Sequence, residues 1–380
     1  MHLAAYATCV ASIVEKRLGD GSRAYLVRYR MPDGTQRSKQ FKRKRDAEGF
    51  VNFVEVDRMQ GNLIDPRLGR ITVADWYAKW WPTVNNLRRT TKAKDHAHFR
   101  THVLPMFGNV PLAALDRTTL RSWVYSLSDP DGAALAPATV HRVVQVFNKC
   151  VRAAHEDRLI VHNPLERLPL PRIERKEMRY IGHEELWQLA DAIEPRFRSF
   201  VLLGGYSGLR LGEMLALRWG RVDLLRRRVK VVETLTSVAG DLAFGPPKTR
   251  AAVRSVPLPR SVCDELARLA TPNVDPEELV FRTINGLPIR AELFRRRVWT
   301  PATKAAGLAP LRIHDLRHSA VSLWIAEGAH PKRVAVLAGH TSVSVVLDRY
   351  GHLYPEHDDE LAAALERRMR PRAERSAPSA

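Results

Sequence analysis

The chain has 380 residues, 45% of them apolar, and carries 61 Lys and Arg against 41 Asp and Glu, a formal net charge of +20. That length holds two or three domains with real cores, and the excess of positive charge points to a polyanionic partner, nucleic acid first, with an ordinary basic surface as the bland alternative. No apolar run approaches membrane-spanning length, the opening MHLAAYATCVASIV lacks the basic start of a signal peptide, and Cys9, Cys150 and Cys263 show no disulfide or metal spacing, which fits a reducing cytosol.

From Ala11 to Phe41 the pattern is strand-like, broken by LGDGS (18–22) and MPDGT (31–35). In AYLVRYR, Tyr25, Val27 and Tyr29 alternate with Leu26, Arg28 and Arg30, so one face is apolar and the other largely basic. A helix is expected from about Arg45 to Gln60, with Phe50, Phe53 and Val54 on one side and Gly61 ending it. Residues 1–65 thus form a small three-stranded sheet plus helix, whose Arg28 and Arg30 suit a groove of DNA as well as they suit plain solvation.

The period then turns helical. Val73, Trp76, Tyr77 and Trp80 follow i, i+3, i+4, i+7 behind Thr72 as N-cap. Further helices are expected over Asp116–Leu127 and Pro137–Ala154, the latter with Pro at its start. Between the first helix and the one over Asp116–Leu127, LRRTTKAKDHAHFR supplies Arg88, Arg89, Lys92 and Lys94 as DNA-binding candidates, so residues 71–165 read as an all-helical domain with a basic side and an aromatic core. A Pro-rich, charged linker occupies 166–178, a mostly helical domain with a small antiparallel sheet occupies 179–370, and 371–380 reads as a frayed tail.

Four stretches of the third domain carry chemistry. GYSGLRLGEMLAL places Arg210 at the start of a helix after a Ser-Gly turn. GPPKTRAAVRSVPL puts Lys248 at an expected hairpin turn. HDLRHSAVSL stacks His314, Arg317 and His318 on one helix face, and LAGHTSVSVVLDRYGHLYP holds His340 and Tyr350. The two histidines at i, i+4 would suit a metal, but Arg317 between them repels a cation, and no Glu follows the first His as a zinc-protease helix requires. A phosphate suits the set better. Taken singly, each residue has a structural explanation.

Their joint order is specific. SGLRLGE, HDLRH, AGH and DRYGH resemble the motif boxes of the tyrosine recombinases, the phage integrase family, closely over about 175–370. The resemblance is looser over 71–165, which is similar to the helical core-DNA-binding domain, and over 11–61, which is similar to the arm-binding domain of lambda-type integrases. Val346, where many relatives carry Thr, and Ala338 before Gly-His are minor departures.

The resemblance implies Arg210, Lys248, His314, Arg317, His340 and Tyr350 as the active set, with Glu213 in support and no metal or other cofactor. Physical chemistry supports the roles. Two guanidiniums can stabilise charge on phosphate oxygens. A tyrosine hydroxyl needs a base or a positive field to attack at neutral pH, for which His314 is the candidate, and Lys248 is the candidate acid for the departing 5′ oxygen. His340 would donate to a phosphate oxygen. Expected partners are double-stranded DNA at core-type and arm-type sites, a homotetramer on that DNA, and, with an arm-binding unit, a host DNA-bending protein and an excision factor. EHDDELAAALERRMR is amphipathic enough to dock on a neighbour or on its own domain. A type IB topoisomerase or a cellular dimer-resolving recombinase shares the chemistry but has less need of the amino-terminal unit, and a non-enzymatic DNA-binding regulator explains the charge but not the ordered active set.

Overall fold

The structure, a computed structural model, describes residues 11–19, 21–31, 34–59, 65, 67–129, 131, 134–174, 178–238, 240–355 and 358–369. Cys9, Gly61 and the tail expected over 371–380 lie outside them. The chain packs as two compact units, Met1–Arg175 and Lys176–Ala380.

The first unit opens with β1 (Ala11–Arg17), β2 (Arg23–Arg30) and β3 (Gln36–Phe41), an antiparallel sheet in chain order, followed by α1 (Lys44–Met59). Both turns close by backbone hydrogen bonds, Leu18 N–H to Ser22 C=O at 2.9 Å and Met31 N–H to Thr35 C=O at 2.8 Å. Val27 is buried with Ala11 and Ala47, and Tyr25, Tyr29, Phe41 and Phe50 pack around them. The pairing Ser12↔Arg28↔Ser38 therefore stands on the opposite face, where Arg28 and Arg30 are exposed. A one-residue slip would exchange the two faces, so the apolar alternation itself holds the basic side outward. Phe53 departs from expectation. It is 58% exposed, because Ala47 and Val54 already fill the strip of helix that three strands can cover, and its ring only stacks beside Phe50 at 6.4 Å.

Helices follow in the same unit: α2 (Val73–Trp80), α3 (Arg89–His98), which runs through Phe99–Val103 into α4 (Leu104–Phe107), then α5 (Arg117–Ser128) and α6 (Pro137–Glu156). Thr72 caps α2 by accepting from the Asp75 N–H at 3.1 Å, and Asp116 caps α5 by accepting from Thr119 N–H at 2.7 Å. Helices this short are marginal alone. They are held by their buried stripes, such as Leu120, Trp123, Val124 and Leu127 on α5, each worth about 1.5–3 kcal/mol when fully covered. Trp76, Tyr77, Phe99, Phe107, Trp123 and Phe147 are core, and the Trp76 indole donates to the Cys150 carbonyl at 2.9 Å, while Tyr125 is exposed. Arg88, Arg89 and Lys94 are exposed around the start of α3. Lys92 is not aimed outward with them, since its ammonium donates to the Val84 carbonyl at 2.6 Å and lies over the Trp81 ring.

The second unit is built on α7 (His183–Ala192), α8 (Arg198–Ser207), α9 (Leu211–Leu215), α10 (Arg260–Ala267), α11 (Ala291–Phe294), α12 (Thr300–Ala305), α13 (Ile313–Ala326), α14 (Pro331–Ala338), α15 (Ser344–Tyr350) and α16 (Asp358–Met369). Phe200, Val201, Leu202 and Leu203 on α8 are all buried, as an apolar run with no polar face requires, and α7, α10 and α13 pack around that helix. Between α9 and α10 lie the sheet β4–β5–β8 (Val222–Asp223, Arg228–Val231, Arg254–Pro257) and the hairpin β6–β7 (Thr234–Val238, Asp241–Gly245). Lys248 is not at the hairpin turn. The β6–β7 hairpin closes where Val238 pairs with Asp241, and Lys248 lies on the bend that carries the chain from β7 back to β8, because β8 pairs with β5 rather than with β7. On α16, Leu361, Leu365 and Met369 are exposed at helical spacing. Among the described residues no helix is long and apolar enough to cross a membrane.

Candidate active site

Arg210 reaches its place through a sharp reversal. α8 ends at Gly208, whose φ of +61° is a left-handed conformation natural to glycine, and two residues later Arg210 stands as the N-cap of α9. Glu213, one turn into α9, accepts from the Arg210 backbone N–H at 2.9 Å and from its guanidinium at 2.8 Å. Buried Arg254 of β8 donates to the same carboxylate at 2.9 Å. Burial pushes the Glu213 pKa up, but the hydrogen bond and charge of Arg254, with Arg210 behind them, outweigh it and hold the carboxyl below its ordinary value.

Arg317 is buried on α13. Asp315 explains the start of that helix: its carboxylate accepts from the Arg312 backbone N–H at 2.7 Å, an anion at a helix N-terminus, and also pairs with the Arg312 guanidinium. From this anchored turn Arg317 donates to the Gly208 carbonyl at 2.7 Å and to the Ala338 carbonyl.

The end of α14 ties the cations together. Gly339 has a φ of +64°, and a Cβ there would meet the Ala252 backbone and the Arg254 side chain, each at 3.1 Å. Three successive carbonyls at this helix end each accept from a different arginine: Leu337 from Arg254 at 2.6 Å, Ala338 from Arg317, and Gly339 from Arg210 at 3.3 Å. The last carbonyls of a helix lack intrahelical donors and carry its negative dipole end, so three guanidiniums satisfy them and are fixed by them. His340 follows immediately. Burial, then the charges of Arg317 and Arg210, push its pKa down to about 4, and its buried Nδ1 has no hydrogen-bond partner. Burial and the same two arginines also lower the His314 pKa. Burial lowers that of Arg317, Arg210 adding to it, although a guanidinium remains charged.

Tyr350 closes α15 and is 1% exposed, among Val321, Ile325, Val334 and Val346. Burial pushes its pKa up to about 12, against which the charge of Arg317 acts. Its hydroxyl meets His318, not His314: Oη lies 2.6 Å from His318 Nδ1, and the His314 ring sits edge-to-face on His318 at a centroid distance of 4.9 Å. The two histidines share a helix face as their spacing requires, but the end of α15 arrives one turn further along α13 than His314.

The structure therefore gathers Arg210, Glu213, His314, Arg317, His340 and Tyr350 in one cluster, and Lys248 stands exposed on the β7–β8 connection. Two members escaped the sequence reading. Arg254 had no motif to mark it beyond its place in the strand after Lys248. His318 was visible in HDLRH but could be chosen over His314 only with α15 in place. Among the described residues no group of three or more His, Cys, Asp and Glu side chains converges on a common point that could hold a metal ion.

Comparison with known proteins gives the arrangement a family. The phage integrase family profile matches residues 179–357, and that of the phage integrase N-terminal SAM-like domain matches 72–128, together more than half of the chain. The ICEBs1 integrase of Bacillus subtilis is 29% identical over 251 residues, covering 61% of this chain and 66% of its own length. The integrase of Mycobacterium phage D29 is 27% identical over 305 residues, 77% of each chain. Among solved structures, the Tn1549 transposon integrase in complex with a circular intermediate DNA aligns with a TM-score of 0.64 at 19% identity, over 78% of this chain and 99% of that one. A lambda integrase tetramer bound to a Holliday junction aligns at 0.56 and 15% identity, over 90% and 94%. At such identities the structural likeness speaks for the fold, and with the profile matches it leads to one conclusion: the chain belongs to the phage integrase family of tyrosine recombinases.

Proposed function

We propose that this chain is a site-specific DNA recombinase, an integrase of a phage or other mobile element, that cleaves and rejoins strands through a 3′-phosphotyrosyl bond on Tyr350. The observation that carries the reading is the fastening of Arg210 and Arg317 to adjacent carbonyls ahead of His340. It yields a preorganised pair of guanidiniums for a phosphodiester, with the His314 and His340 imidazoles close enough to feel both charges. In this reading Arg210, Arg317 and His340 hold the non-bridging oxygens, Tyr350 attacks phosphorus, and Lys248 protonates the departing 5′ oxygen from its exposed bend. The phosphoester energy is kept in the tyrosyl link, so a 5′ hydroxyl of another strand can reverse the step.

Double-stranded DNA is the partner that the charge of +20 favours. Arg28 and Arg30 on the sheet suit an arm-type site, and Arg88, Arg89 and Lys94 suit the backbone of a core-type site. The exposed stripe Leu361, Leu365 and Met369 supports docking of α16 on a neighbouring protomer in a DNA-bound tetramer. A host bending protein and an excision factor belong to the same reading. The test uses nicked duplexes tiled across the DNA flanking the gene. Wild type should leave a covalent adduct on one tile after boiling in SDS, and a binding-only regulator would leave none on any.

A further inference from the structure

Tyr350 cannot attack phosphorus while it keeps its proton, and the group in contact with that proton is one the family motifs do not assign. We propose that His318 takes the proton from Tyr350 as the tyrosine attacks. The inference rests on the reading of Tyr350 as nucleophile and adds to it the residue that activates it.

The geometry carries the assignment. Nδ1 of His318 is 2.6 Å from Oη of Tyr350, and both side chains are almost wholly buried, 5% and 1% exposed, so bulk water does not compete for the hydroxyl. With the imidazole proton on Nε2, Nδ1 accepts from the tyrosine. The helix carrying His318 is fixed on either side of it: Asp315 caps its first turn, and Ser319 accepts from the Ile181 backbone N–H at 2.9 Å. The His314 ring also sits edge-to-face on that of His318, at a centroid distance of 4.9 Å.

The charges facing this pair set when the proton can move. His314, Asp315 and Arg312 face His318 from its own helix and its lead-in, and Arg349 faces it from α15. Arg317 and Arg349 face Tyr350, as does Tyr180 from the segment before α7. Burial, then the neighbouring His314 and cations, push the His318 pKa down to about 4, so at neutral pH the ring is unprotonated and able to accept. A scissile phosphate brings negative charge to the cationic cluster and makes a new imidazolium tolerable. In the step, Oη–H breaks as Nδ1–H forms, the oxygen pair forms Oη–P, and P–O5′ breaks with the 5′ oxygen taking a proton from Lys248. The reverse reaction returns each proton to its source.

The experiment measures the rate of adduct formation on the tile that wild type cleaves, for full-length wild type, Tyr350→Phe and His318→Asn. Asn places an acceptor oxygen near the position of Nδ1 but has no basicity. The expected result is no adduct with Tyr350→Phe and a fall of about 100-fold or more with His318→Asn. The rate of that variant should climb with pH where wild type levels off. A fluorinated tyrosine of lower hydroxyl pKa, installed at position 350, should restore most of the loss. Asn cleaving within about threefold of wild type, or a defect indifferent to the acidity of the tyrosine, would show that His318 only holds the ring in place and would overturn the inference. An adduct with Tyr350→Phe would overturn the nucleophile reading beneath it.

Discussion

Replacing Arg254 with Leu tests whether the buried ion pair holds the site together. Arg254 is 7% exposed and Glu213 3%, and the guanidinium donates to Glu213 at 2.9 Å, Leu337 at 2.6 Å and Ala252 at 3.0 Å. Removing one partner of a buried pair costs about 3–5 kcal/mol, because the remaining charge keeps its desolvation cost. Arg210 still donates to Glu213, which softens the loss, while two carbonyls lose a donor, which adds about 1 kcal/mol or more. The net expectation is a destabilisation of about 4 kcal/mol, a large share of the roughly 5–15 kcal/mol that holds a domain folded. Urea unfolding read by hydrogen exchange of peptides from residues 179–355 isolates this unit's transition. The double variant Arg254→Leu/Glu213→Leu should cost clearly less than the sum of the singles. The pH dependence has a definite sign. The folded-state pKa of Glu213 lies below its ordinary value, so its contribution is present above the unfolded pKa and fades as pH falls through the folded one. With Leu at 254, burial acts on the carboxyl with less opposition, its pKa rises, and the deficit against wild type should shrink in acid. A loss under about 1 kcal/mol, or strict additivity in the double variant, would refute the reasoning.

Acid should destabilise the second unit through His318 and His340. Both fall from 6.5 to about 4 in the fold, so the stability of their neutral forms is complete above 6.5 and is lost as pH drops toward 4, by up to roughly 3 kcal/mol each. Thermal unfolding across that window should show the decline, and His318→Phe should flatten its share. Adduct formation should persist in EDTA, since guanidiniums, imidazoles and Lys248 supply the charge in the proposed mechanism; strict dependence on added magnesium would contradict it. Deleting residues 1–65 should leave core-site cleavage intact while crippling recombination that needs arm sites, and unchanged recombination would refute an arm-binding role for the sheet.

The parts of this molecule that were legible in its sequence are those set by local spacing. The 3.6-residue period of Val73, Trp76, Tyr77 and Trp80 produced α2, and the alternation of Tyr25, Val27 and Tyr29 with Leu26, Arg28 and Arg30 produced a strand with its basic side outward. Arg210 was readable because a Ser-Gly reversal precedes a helix start, and His314 with Arg317 because one helix carries both. What escaped depends on long-range placement. Arg254 meets Glu213 across 41 residues and Leu337 across 83, distances over which no periodicity speaks. The choice of His318 over His314 as neighbour of Tyr350 turns on where α15 comes to rest along α13. Lys248 was assigned to the wrong turn because β5 takes β8 as its partner, leaving β6 and β7 to close on each other. Phe53 obeys the helical pattern and still faces solvent, because the sheet beneath is only three strands wide.

The central claim is the covalent bond, and peptide mass spectrometry tests it most directly. Wild type incubated in EDTA with the tile that traps it would be boiled in SDS, digested with nuclease and protease, and sequenced for the peptide that keeps a nucleotide. The account predicts a nucleotide joined through its 3′ phosphate to Tyr350, and no modified peptide from Tyr350→Phe. A nucleotide on any other side chain, or a link through the 5′ phosphate, would contradict it.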